Sequence, residues 1–486
     1  MKNILSILFI STLLCGCTGV QNSVTSDTTL EIYPDYNNVT IPNNIAPLNF
    51  KIKEQGEKFI ANFFAADTAK PLFEVLSKDG NIIIPTKKWR ALLSSSQECI
   101  IEISIINSGT ITTYKPIKID ISPDDIDEYL VYRSVKPGYI KWSTMGIYQR
   151  SLTSFKVTPI IKNSQTGNGC MNCHTFCQNS PDFMMLHFRK EFDGTVVYTE
   201  GKAKRLTTKT GSMMGSAVYP SWHPKGRYIA FSTNLTRQKF HTSGAKPIDV
   251  YDSNSDIVIY DAKEDKMFTS PLLYNKTMLE TFPAWSDDGS YLYFTAAEKL
   301  PDDFNPIYLK YNLYRVTFNE SNEEFSNLEL MVDAAADNKS ISFPKSYDFG
   351  NHLSYVLSDY GNFSIWHSES DIYTINTSTL ESRKLTEICS DNTESYHSYS
   401  KNGKWMVFSS RREDGLHTRP YFAHYDSNSN KFSKPFLLPA SHPDNYTTEE
   451  NSYNIPQLIT SAVKYGKELE KTAKNTPKPI MAGKNL

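Results

Sequence analysis

Short apolar runs alternate with polar positions along most of the chain, a period of two that reads as half-buried strand rather than helix. From about residue 30 to 121 the bursts are "LNFKIKE", "KFIANFFAA", "PLFEVLS", "NIIIPT", "ECIIEISIIN" and "TYKPIKIDI", each bounded by Asp, Asn, Gly or Pro. Such closely spaced short strands predict a small antiparallel β-sandwich-like domain over residues 30–125.

Further along, the alternation itself repeats. "YPSWHPKGRYIAFST" from Tyr219, "FPAWSDDGSYLYFTA" from Phe282, "FPKSYDFGNHLSYVL" from Phe343 and "YHSYSKNGKWMVFSS" from Tyr396 each begin with an aromatic residue. A turn follows, ending in Gly226, Gly289, Gly350 or Gly403, and then an alternating apolar strand. A further strand follows in each unit, "DIVIYD" from Asp256, "YNLYRV" from Tyr311, "DIYTIN" from Asp371 and "YFAHYD" from Tyr421, and a fourth closes the blade, as in "KMFTSPL" from Lys266 and "SRKLTE" from Ser382. The period is roughly fifty to sixty residues, within the range of propeller blades. One such unit cannot bury both of its apolar faces, so the units must stack. The segments "MMLHFRK" to "AKRLTTKT", and "DEYLVYRSVKPGYIKW" with "MGIYQRSLTSFKVTPII", are candidates for two more. The expected fold is mainly β: the sandwich-like domain, then a β-propeller of about six blades over residues 126–445, four of them clearly readable.

The first two repeats resemble the signature of the PD40, or TolB-like, family of WD40-like β-propellers. The third and fourth depart from it, with Ser346 and Tyr399 where the first two have Trp222 and Trp285. The resemblance covers roughly residues 216–430 and implies a propeller that offers a face to partners. Residues 446–486 are expected to be a polar tail, with one short helix around Gln457 to Thr472.

The N-terminus changes the picture of where this propeller works. Lys2 precedes an apolar stretch from Ile4 to Leu14 that is too short to span a bilayer, as in an export signal. Leu14, Cys15 and Gly16 before Cys17 resemble a bacterial lipobox. That resemblance implies cleavage after residue 16, acyl chains on Cys17, a tether over residues 18–29, and a body anchored in the cell envelope. The expected location is the outer membrane, facing the periplasm. Lys plus Arg (51) nearly balance Asp plus Glu (53), so no broad cationic field is present and nucleic acid is not an expected partner. The partners expected are the membrane, through the lipid anchor, and an envelope protein on the propeller face.

The candidate chemistry lies in "NGCMNCHTFCQNSPDFMMLHF", Asn168 to Phe188, with the cysteine segment proper at 168–182. Cys170, Cys173 and His174 spell C-x-x-C-H, the attachment signal of c-type haem: two thiols reach the vinyl groups and the next imidazole binds iron. The expected cofactor is therefore a covalent haem c on Cys170 and Cys173, with His174 as proximal ligand and Met184, Met185 or His187 as distal ligand. Met213, Met214 and His223 are nearby alternatives. Such a haem would serve electron transfer or redox sensing, with the propeller as docking platform. Peroxide chemistry would follow only if the sixth iron position were open. Two competitors remain: a zinc site of Cys170, Cys173, His174 and Cys177, and a disulfide among the cysteines. Either would leave a non-catalytic scaffold. Cys177 has no part in haem attachment, and Cys99 and Cys389 are possible disulfide partners for it. No G-x-S-x-G elbow, Walker A segment, H-E-x-x-H or dinucleotide fingerprint occurs, which disfavours hydrolase and nucleotide chemistry.

Overall fold

A computed structural model describes residues 22–66, 68–138, 144–209, 215–242, 246–301 and 303–483. Its N-terminal unit is two-layered. A seven-stranded sheet is built around Glu98–Asn107, which pairs with Lys58–Ala65, Thr110–Lys115 and Ile117–Ser122. A three-stranded sheet of Ile32–Tyr33, Phe50–Ile52 and Asn81–Ile82 accompanies it. The strict alternation of Lys58–Ala65 buries Phe59, Ala61, Phe63 and Ala65 on one face, as period-two patterning requires. Where all strands were expected, Thr86–Ser95 forms a helix that buries Trp89, Leu92 and Leu93, one face at helical spacing. The expected tether is partly ordered: Asn22–Thr29 is a strand, parallel to Thr110–Lys115.

Six sheets of four or five strands follow, arranged as a β-propeller. Numbered from the N-terminal side, blades 2 to 6 have as inner strands Met171–Cys177, Ala217–Trp222, Met278–Trp285, Ser340–Tyr347 and Glu394–Tyr399. Blade 1 takes Tyr129–Val135, Gly146–Ser151 and Val157–Lys162 from early in the chain. Its inner strand is Ser452–Ile459, antiparallel to Tyr129–Val135. The ring is thus closed by hydrogen bonds between distant parts of the chain, so neither end can leave without exposing a blade core. The tail expected after residue 446 is structural. Its helix is Gly466–Ala473, later than expected, because "SYNIPQLI" alternates buried and half-buried positions and pairs as strand. Lys478–Pro479 and Met481–Ala482 add edge strands to blades 2 and 3.

Apolar cores lie between successive blades. Met184, Leu186 and Phe188 pack against Ile147 and Ile161 of blade 1, while Met185 and Val197 pack against Ile229 and Phe231 of blade 3. The N-terminal unit shares one continuous core with blades 5 and 6. Trp405 Nε1 donates to the Asp124 carbonyl at 3.0 Å, and Asn49 Nδ2 to the Ala440 carbonyl at 3.1 Å across this junction. Among the described residues no helix is long and apolar enough to cross a membrane.

Candidate functional site in the axial channel

Every inner strand carries a one-residue bulge at the same height. Register shifts occur between Asn172 and Thr175, Val218 and Ser221, Thr281 and Ala284, Ser342 and Lys345, and Ser395 and Ser398. The closing strand has the sixth, opposite Val131 and Arg133. At each bulge one non-glycine residue is left-handed: Cys173, Tyr219, Phe282, Phe343, Tyr396 and Ile455, with φ from 43° at Tyr396 to 56° at Cys173. A side chain in that region costs about 1–2 kcal/mol. Here the bulge turns it towards the axis. Four of the six form a collar of successive rings, with centroids 4.4 Å apart for Tyr219 and Phe282, 4.6 Å for Phe282 and Phe343, and 4.8 Å for Phe343 and Tyr396.

The residue after each bulge is Pro220, Pro283, Pro344 or Pro456 in four blades, and His174 or His397 in the other two. Cys173–His174 therefore occupies the place of Tyr219–Pro220. The C-x-x-C-H run is the blade 2 copy of the repeat.

A cavity of about 90 Å³ lies within the channel beside the collar. No Asp or Glu lines it; its polar wall includes His174, His397, Lys345 and Gln457. His174 is 1% exposed and His397 2%, and neither ring nitrogen of either residue has a hydrogen-bond partner. The carbonyls of Val131 and Ile455 lie beside the His174 ring, and that of Ser354 beside the His397 ring, but outside hydrogen-bonding geometry. Burial, with Arg133 nearby, holds the His174 pKa down to about 3, and burial with Lys345 nearby does the same for His397. Both rings are neutral at pH 7. Burial also lowers the pKa of Lys345, and no Asp or Glu lines the cavity beside it. Gln457 Nε2 donates to Thr175 Oγ1 at 3.1 Å, which leaves its Oε1 unpartnered. Burial raises the pKa of the Cys173 thiol, so it is neither thiolate nor nucleophile at neutral pH.

Where the inner strands run out, the channel widens into a funnel of about 300 Å³ lined by Trp222, Trp285, Asp287, Tyr347, Tyr399 and, at its inner end, Lys345. On the opposite face a polar brace joins blade 3 to blade 5. Tyr360 Oη donates to Asp249 at 2.9 Å, Lys246 pairs with Glu369 at 2.9 Å, and Asn362 and Asn234 both donate to buried Asp252.

The other expected site residues go elsewhere. Cys170 is half-buried ahead of the inner strand and packs on the core between blades 1 and 2. Cys177 faces blade 3, its Sγ 3.4 Å from the His223 carbonyl. Cys99, Cys170, Cys173, Cys177 and Cys389 are all unpaired thiols. Met184 fills the core between blades 1 and 2, and Met185 the core between blades 2 and 3. His187 Nδ1 is hydrogen-bonded to Thr195 Oγ1 at 3.0 Å. None of these three residues lines the axial cavity, because alternate residues of one strand point into two different blade cores. His223 sits at the lower turn, edge-on to Trp285. Cys17, Met213 and Met214 lie outside the described residues.

These placements do not fit a porphyrin held by both thiols and the imidazole. The second thiol and His174 line a cavity of about 90 Å³, whereas ligand pockets for molecules of drug size run to roughly 300–1,000 Å³. The zinc set is not assembled either. Among the described residues the one trio of ligand atoms within 4.8 Å of one another is Asp371, Cys389 and Glu394. There Lys384 already pairs with Asp371 at 2.6 Å and Arg412 with Glu394 at 3.1 Å.

Reading the sequence alone missed His397, Lys345 and the collar. The signal was present: "MNCHTF", "AVYPSW", "ETFPAW", "ISFPKS", "ESYHSY" and "YNIPQL" align as six inner strands.

No family model matches the chain, and no curated protein matches it. Among solved structures it is similar to oligogalacturonate lyase from Vibrio parahaemolyticus, at 12% identity over 80% of this chain and 87% of that one, TM-score 0.37. It is also similar to an oligogalacturonate lyase in complex with manganese, at 16% identity over 63% and 78%, TM-score 0.37. A third is Kuenenia stuttgartiensis hydrazine synthase, at 10% identity over 70% and 48%, TM-score 0.45. The likeness is one of fold, and the activities in those names belong to those proteins.

Proposed function

We propose that the chain is a non-catalytic binding protein of the cell envelope, a PD40/TolB-like propeller lipoprotein tethered through Cys17, which holds a small ligand in its axial channel. One observation carries this reading: two fully buried imidazoles face the same cavity with all four ring nitrogens unpartnered. A buried polar group without a partner costs about 1–3 kcal/mol, and folded chains rarely retain one without a use for it. A bound molecule would supply the missing partners. The apolar wall with a few convergent polar groups and displaced pKa values is the usual makeup of a ligand site. The same cavity lacks a carboxylate base and its one thiol is protonated, which favours binding over catalysis.

The test starts with the mature chain exported by a host competent in cytochrome maturation. Intact mass and haem staining of a denaturing gel should show no covalent haem, and labelled palmitate should enter at Cys17. Native mass spectrometry and a small-molecule thermal-shift screen should then find a ligand. Its binding should be lost in Ser398→Phe, which fills the cavity from blade 6. A Soret band surviving acid-acetone extraction, or ligand binding untouched by Ser398→Phe, would sink the proposal.

A further inference from the structure

We infer that the ligand of the axial channel is a small anion, a short-chain monocarboxylate; this rests on the channel being the binding site. The sign of the charge in the wall decides between anion and cation. No carboxylate lines the cavity, whereas the Lys345 side chain does, and Arg133 stands behind His174. Burial disfavours the charge on Lys345, and an anion placed beside it in a low-dielectric channel would restore that charge, an attraction far stronger than the same group has at a surface.

A transition-metal ion is the rival guest, since two imidazoles and a thiol are its usual ligands. It would have to displace the proton of a thiol whose pKa burial has raised, beside Lys345 and Arg133, with no carboxylate in the wall to help neutralise it. His174 and His397 are better suited as neutral donors. Each can turn one N–H to a carboxylate oxygen while Lys345 supplies the charge, which makes charge-assisted bonds of the stronger kind.

Size and polarity narrow the guest further. A water molecule occupies about 30 Å³ of liquid, so a cavity of about 90 Å³ takes about three water-sized groups, which limits the guest to a very small molecule. Phe282, Phe343 and the four prolines present apolar surface to the rest of such a molecule, which a short alkyl tail satisfies. Lys345 lines both the funnel and the cavity, so it stands where a carboxylate would pass from one to the other.

The experiment is calorimetric titration of the mature full-length chain with acetate, propionate and butyrate, against propionamide, inorganic phosphate and zinc ion. Each is repeated on Lys345→Met and Lys345→Arg, with circular dichroism to check folding. The expected result is carboxylate binding at least tenfold tighter than propionamide. Binding should weaken tenfold or more in Lys345→Met and be partly restored in Lys345→Arg. Equal binding of propionamide and propionate, or carboxylate binding unchanged in Lys345→Met, would overturn the anion and leave the channel site standing. Zinc binding in place of carboxylate would do the same. Phosphate without carboxylate would overturn the monocarboxylate. If no probe binds, and Ser398→Phe behaves as the parent chain throughout, the channel reading falls as well. Should Lys345→Met fail to fold, His397→Pro tests the same donors in a backbone already accepted by four other blades.

Discussion

Replacing His397 by proline should stabilise the protein, and more so in acid. The position lies inside the bulge, between the ladder pairs Ser395–Ser409 and Ser398–Val407, so no ladder hydrogen bond is lost. Pro220, Pro283, Pro344 and Pro456 already occupy the equivalent place. The imidazole leaves a buried donor and a buried acceptor unpartnered, at about 1–3 kcal/mol for such a group. Proline also lowers the entropy of the unfolded chain by about 0.4–1 kcal/mol. Against this stands the lost edge contact with Tyr399, at 6.4 Å between centroids, so a gain of about 1–3 kcal/mol at pH 7.5 is expected. The pH dependence follows from burial holding the His397 pKa at about 3 in the folded chain, against an ordinary 6.5. Between these values the unfolded state binds more protons than the folded one. Stability from this group is therefore present above pH 6.5 and lost as pH falls. At roughly 1.4 kcal/mol per unit, the parent chain loses about 2 kcal/mol between pH 6.5 and 5 through this one ring. Urea unfolding at pH 7.5 and pH 5 reads both effects, with the advantage of His397→Pro growing by about 2 kcal/mol at the lower pH. A variant less stable than its parent at both pH values would refute the reasoning, since the histidine would then have partners. Ligand affinity should fall in the same variant, a stability gain obtained at the expense of a site.

Glu280 titrates in the opposite sense. Burial, with Asp256 nearby, pushes its carboxyl up to about 8 from 4.5, so the folded state holds the extra proton between those values. That stability is present at pH 4.5 and lost towards pH 8. Glu280→Gln should flatten the decline between pH 5 and 8 by a few kcal/mol, at roughly 1.4 per unit, and an unchanged slope would exclude the shift. Thiol labelling of the native reduced chain should strike Cys170 first among the cysteines in the described residues. Cys99, Cys173 and Cys177 are at most 4% exposed, and burial raises the thiol pKa of half-buried Cys389; rapid native labelling of Cys173 would mean an open channel. Ending the chain after Asn451 removes Leu458, Ile459 and Leu469, each buried and worth about 1.5–3 kcal/mol, together a large part of a usual folding free energy. That truncation should abolish cooperative unfolding. Ending it after Asn475 removes the two edge strands and one buried side chain, Ile480, and should preserve cooperativity.

Much of the propeller was legible because blades 3 to 6 share an aromatic residue followed by a glycine turn. Gly226, Gly289, Gly350 and Gly403 all adopt positive φ, where glycine alone is at ease. Blades 1 and 2 escaped that reading for physical reasons. After the inner strand of blade 2 the turn is made by Gln178 and Asn179 at φ 48° and 58°, so the glycine marker is missing, and a thiol replaces the aromatic ring at position 173. Asn179 instead fixes the turn through its side chain, donating to Asp127, to the Tyr399 carbonyl and to the Leu458 carbonyl, and its own carbonyl accepts from Thr460 N. In blade 1 the inner strand comes from the far end of the chain, where no local repeat can be read. The cysteine pattern then supplied a strong chemical reading to a stretch whose architectural role was hidden. Spacing along the chain is not proximity: Cys170 stands ahead of the inner strand, on the core between blades 1 and 2, and the bulge falls at Cys173 itself. The same bulge that separates the two thiols is what turns Cys173 into the channel beside His174. Histidine in place of proline at two of six otherwise equivalent positions is therefore the more informative departure from the repeat, because it places unpaired donors where the fold by itself requires none.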